Sequence, residues 1–138
     1  MKLITLLFGL LFFQTAIADD TDWIGGIYID TVNSINIKGG IVLNDNNPLD
    51  PDRPHYYGSF KYTDLELGLG GSKISFGFGD SIGHGLNRIG LSYAHLRSQD
   101  MAGFEWIVSQ MGGSFKLGYY WGLDGTKNQM LLGFGLGF

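Results

Sequence analysis

Apolar residues return at every second position over most of this chain, and that period decides what it can fold into. Ile74, Phe76 and Phe78 alternate with Lys73, Ser75, Gly77 and Gly79, while Leu65, Leu67 and Leu69 alternate with Glu66, Gly68 and Gly70. Ile89, Leu91 and Tyr93 follow the same rule, as do Phe104, Trp106 and Val108, then Phe115, Leu117, Tyr119 and Trp121, and finally Met130, Leu132, Phe134, Leu136 and Phe138. Near the start, Ile35, Ile37, Ile41 and Leu43 keep the pattern, after a poorer segment around Trp23 to Asp30. A period of two is a β-strand, so the chain carries eight predicted strands. Helix is excluded over the same stretches because glycine, 23 residues in all, interrupts nearly every window that might hold one.

The breaks between these segments carry turn chemistry. Gly70-Gly71, Gly112-Gly113, the "LDGTKN" stretch around Asp124-Gly125 and the "SQDMA" stretch are short enough for hairpins. The polar segment Asn44–His55 holds all three prolines and is a predicted loop. Strands joined by short turns give an antiparallel meander, and eight of them close into a barrel that leaves no edge unpaired. The expected fold is all-β, an antiparallel up-and-down transmembrane barrel of about eight strands. In such a meander the Asn44–His55 loop falls at the same end as both termini.

Two faces then need partners. The apolar face holds Leu, Ile, Phe, Trp and Tyr. The other holds Gly, Ser and Ala with scattered charges at Lys38, Glu66, Lys73, Arg88, Glu105 and Lys116. Only 16% of the chain is charged, where a soluble domain has about 25%. A face of small residues solvates a protein poorly but suits a narrow interior, in which Glu66 and Glu105 would neutralise some of the four cations. The apolar face then points outward to hydrocarbon, with aromatics toward its rims. The competing arrangement, a soluble periplasmic barrel or sandwich, hides the apolar face inside.

The N-terminus agrees with export. Lys2, the apolar run Leu3–Phe13 and the small-x-small site at Ala16 and Ala18 have the layout of a secretory signal peptide, 1–18, leaving a single barrel domain over 19–138. No cysteine is present, which excludes a disulfide framework, a thiolate metal site and a Cys nucleophile. A net charge of −4 gives no basic patch for nucleic acid.

The alternating C-terminal segment ending in Phe134, Leu136 and Phe138 resembles the terminal signal of small bacterial outer-membrane β-barrels. That resemblance implies the bacterial outer membrane as the location, outer-membrane lipid as the surroundings and the barrel assembly machinery as a partner that reads this tail. With it goes the expectation, from the sparse chemistry of the chain, of a structural or interaction role without catalysis, and no cofactor.

Candidate chemistry is sparse. His95, Ser98 and Glu105 could form a hydrolytic relay, with His deprotonating the hydroxyl and the carboxylate orienting His. Their order is similar to that of lipid A deacylase barrels, which carry a His-x-Ser pair and a downstream Glu. Here Arg97 stands two after His95, so Ser98 is displaced by one position and faces the other way. A lipid-modifying hydrolase is therefore an alternative function, and a narrow small-solute channel is another. His55 and His84 have no metal-site spacing, and the Asn44–Asp52 cluster lacks the frame of a calcium loop. "GLGGSK" fails the spacing of a phosphate loop.

Overall fold

The structure, a computed structural model, describes residues 23–43, 57–82 and 85–137. The signal segment 1–18, the Asn44–His55 segment with its acidic cluster, His84 and Phe138 lie outside the described residues.

Eight strands form: β1 (Trp23–Asp30), β2 (Ser34–Val42), β3 (Tyr57–Gly68), β4 (Gly71–Ile82), β5 (Gly85–Leu96), β6 (Gln99–Gln110), β7 (Gly113–Gly122) and β8 (Gln129–Gly137). Each pairs antiparallel with its sequence neighbour, and β1 pairs with β8 to close the barrel. All-β architecture and closure are thus as expected from the alternation. The strand order puts the β2–β3 connection at the end where the chain enters β1 and leaves β8. This is called the terminal end below, and the opposite one the turn end.

The hairpins are tighter than their sequences suggest. The "SQDMA" stretch is not a loop: Gln99 already belongs to β6, and the connection is Arg97-Ser98 alone, both left-handed at φ 51° and 64°. Two left-handed central residues make a type I′ turn, whose twist matches that of the flanking strands. Met111-Gly112, at φ 51° and 83°, is another, one residue earlier than the Gly112-Gly113 pair suggests. At the β1–β2 corner, Asp30 Oδ1 accepts the amides of Val32 at 3.0 Å and Asn33 at 2.6 Å, fixing the turn locally.

Closure is the costly step for a meander, because β1 and β8 are far apart in sequence. Five register pairs, Gly26↔Gly137 through Asp30↔Gly133, form the seam. Thr31 extends it: its hydroxyl donates to the Met130 carbonyl at 2.9 Å and accepts the Leu132 amide at 3.1 Å. Tyr28 lies across the seam glycines, and a methyl group at Gly137 would stand 2.9 Å from its hydroxyl.

Glycine on the inner face is therefore space already taken. Phe60 fills the position above Gly79, Tyr62 that above Gly90, and Tyr120 that above Gly103. Toward each end the interior holds an apolar cluster, joined at the terminal end by the buried hydroxyls of Ser81, Ser109 and Ser114. Val32, Ala94, Leu96, Met101, Tyr120 and Leu131 cluster at the turn end, and Ile24, Val42, Phe60 and Tyr62 at the terminal end.

Candidate functional site

Between these two apolar clusters lies a belt of buried charge. Lys38, Glu66, Lys73, Arg88, Glu105 and Lys116 all sit on the inner face, at 2% exposure or less. Glu105 is its hub. One carboxylate oxygen takes Lys38 and, at 3.2 Å, Ser75; the other takes Lys73 at 2.7 Å and the Tyr120 hydroxyl at 3.1 Å. Glu66 accepts Lys116 at 2.7 Å and Asn33 at 2.9 Å, and lies 2.9 Å from Lys73.

Those six charges alone would leave the interior two positive. Asp30 and Asp64, missed as members from the sequence, complete it: Asp30 accepts Lys116 and Asn36, each at 2.8 Å, and Asp64 lies 3.3 Å from Lys38 and 3.9 Å from Arg88. Among the described residues the belt thus holds four cations and four carboxylates. A signal for Asp64 existed, since it shares the parity of Glu66, two residues on. Balance is what burial demands, because an unpaired ion in a dry interior costs several kcal/mol.

Tyrosines surround the belt with polar tips and ring faces. Lys116 lies over the Tyr28 ring at 4.7 Å and Arg88 over that of Tyr62 at 5.7 Å. Arg88 also donates to the Tyr28 hydroxyl at 3.4 Å. Layered this way, apolar plug, charge belt, apolar plug, the interior is filled with side chains.

The outer wall has the opposite character. Ile37, Phe78, Leu91, Phe134 and Leu136 are more than 60% exposed there, within a continuous apolar band. On β4, Ser72 and Asp80 bound the stretch Ile74, Phe76, Phe78; on β5, Asn87 and His95 bound Ile89, Leu91, Tyr93. An eight-residue spacing is roughly 26 Å of strand, and a tilt of about 40° leaves about 20 Å along the axis. At the terminal-end border Ser59 donates to Asp80 at 2.7 Å, and the Trp106 indole donates to Asn87.

The three candidate relay residues, His95, Ser98 and Glu105, are not brought together. His95 faces outward, 59% exposed at its side chain; Glu105 is buried on the other side of the wall, and Ser98 sits in the turn. The acid that reaches His95 is Asp100, directly opposite on β6, with its Oδ1 2.7 Å from His95 Nδ1. Of the C-terminal residues, Phe134 and Leu136 project outward from β8.

Among the described residues no group of His, Asp and Glu is arranged to hold a metal ion. No family model, no curated protein and no solved structure matches this chain.

Proposed function

We propose that this chain is a small integral protein of the bacterial outer membrane, a lipid-embedded barrel with a structural or interaction role. The observation that carries the reading is the exposed apolar band on every side of a closed barrel whose charges are all turned inward at mid-height. Monomeric soluble proteins rarely leave more than a few hundred Å² of contiguous apolar surface to water. A membrane barrel must do so, and must pair the backbone groups of its wall, which closure of β1 on β8 does over five register positions.

A filled interior favours this over a channel. Eight strands leave a lumen that side chains can fill, and in this chain rings lie over the inner glycines while ion pairs cross the middle. Planar-bilayer recordings are expected to show no stable open level.

The test is fractionation of the full-length protein, followed by electrophoresis with and without boiling. Recovery in the outer membrane with a heat-dependent mobility shift is expected. A soluble periplasmic protein without a shift would reject it. A second reading, a lipid-ester hydrolase, is favoured by one observation, the His95–Asp100 pair on the outer wall.

A further inference from the structure

Three adjacent strands bring a hydroxyl, an imidazole and a carboxylate side by side on the outer wall. The register sets Ser72 of β4 directly opposite His95 of β5, and His95 directly opposite Asp100 of β6. Directly opposed residues share a face, with Cβ atoms about 4.5–5.5 Å apart, which sets the Ser72 hydroxyl on the β4 side of the imidazole, across the ring from Asp100. We infer that Ser72, His95 and Asp100 form an esterase site for membrane lipids, with Ser72 as nucleophile, His95 as base and Asp100 positioning the imidazole.

Asp100 already bonds the imidazole, and Tyr93 donates to the same carboxylate. An ionised carboxylate can only accept, so Nδ1 of His95 carries the hydrogen it gives Asp100 at 2.7 Å. In the neutral imidazole with this tautomer, Nε2 carries no hydrogen and is the atom that takes a proton from a serine. Ser98 lies in the adjoining turn, itself the second of its two left-handed residues, and Glu105 is behind the wall.

Position selects the substrate. Ser72 and His95 stand one outward residue beyond Ile74 and Tyr93, where the apolar stretches of β4 and β5 stop at the turn end, while Leu67 of β3 and Leu69 just after it carry apolar surface along the site's flank. This assignment rests on the membrane reading above: if lipid surrounds the band, its edge is where acyl chains join their headgroups through carboxylic esters. Arg97, exposed in the adjoining turn, places a cation beside that edge for an anionic headgroup.

The chemistry balances without a co-reactant other than water. Ser72 Oγ bonds to the ester carbonyl carbon as its proton passes to His95 Nε2. The ester C–O bond breaks and that proton goes to the departing alcohol. Water, deprotonated by His95, then releases the fatty acid and restores Ser72.

The experiment uses full-length protein reconstituted in vesicles of phosphatidylethanolamine and phosphatidylglycerol, read by fatty-acid release and by labelling with a fluorophosphonate. The inference expects labelling and release, both lost in S72A, and release lowered by about 100-fold or more in H95N. D100N is expected to lower kcat with KM unchanged, which a merely structural pair would not do, and S98A is expected to keep full activity. Absence of release and labelling in the unaltered protein, or labelling that survives S72A, overturns the site. Vesicle flotation on the same samples separates the two failures: protein that floats yet releases nothing loses only the esterase, whereas protein that does not float removes the membrane reading on which it rests.

Discussion

At mid-height the barrel wall is charged inside and apolar outside; near one rim each, β3 and β5 reverse. On β3, Asp64 and Glu66 point inward while Leu65 points out, yet toward the terminal end Phe60 and Tyr62 point inward while Ser59 and Lys61 point out. On β5, Arg88 faces inward beneath Ile89 and Leu91, and toward the turn end Ala94 and Leu96 face inward while His95 faces out. The difference teaches that side-chain parity fixes which wall a residue joins, and height fixes what that wall must be. A mid-height residue that turns outward meets an apolar medium under the reading proposed here, and one near the rim meets a polar one.

The largest effect is expected from breaking the inner half of this pattern. Glu105→Ala removes the anion shared by Lys38 and Lys73, and stranding buried charges in this way costs about 3–5 kcal/mol. Urea unfolding in vesicles would measure it. Because the deficit is one of balance, adding Lys73→Met to Glu105→Ala should recover part of the loss. A double variant as unstable as the sum of the two single ones would contradict the balanced belt.

Next in size is the outer half. Leu91→Arg puts a charge at the centre of the apolar band, expected to cost about 2–4 kcal/mol in lipid and to reduce the folded, heat-shifted fraction on a gel. A water-facing wall would accept it without loss. The same substitution nearer the rim, at Asn87, should be close to neutral, which sharpens the dependence on height.

The smallest effect tests closure. Thr31→Val keeps the shape but removes both hydroxyl contacts to β8, and should lower stability by about 1 kcal/mol. Increased hydrogen exchange at Leu132, with β4–β6 unchanged, is the local signature.

Much of this was legible in the sequence, for a physical reason. Alternation at period two survives in a barrel wall because each face has one environment through the middle of every strand. That is why eight strands and six inner charges could be read directly. Where the environment reverses near the rims, the rule loses its sign. Phe60 and Tyr62 precede Leu65 with the opposite parity, so the first half of β3 does not continue the alternation that follows it. Asp64 falls at that change of phase, and Asp30 in the weakest segment, so the six charges legible in the sequence sum to an excess of positive charge. The Ser72–His95–Asp100 row was hidden for another reason: its members belong to three strands, and only register brings them together. Proximity along the chain points to Ser98, near His95 in sequence but not beside it on the sheet.

The central claim is that the outer wall at mid-height faces lipid. Since the chain has no cysteine, a nitroxide placed at Leu91→Cys reports on one site without background. In vesicles the account predicts that its relaxation responds strongly to oxygen, which concentrates in hydrocarbon, and weakly to a water-soluble nickel chelate. The reverse, strong response to the chelate and little to oxygen, would put that wall in water and contradict the account.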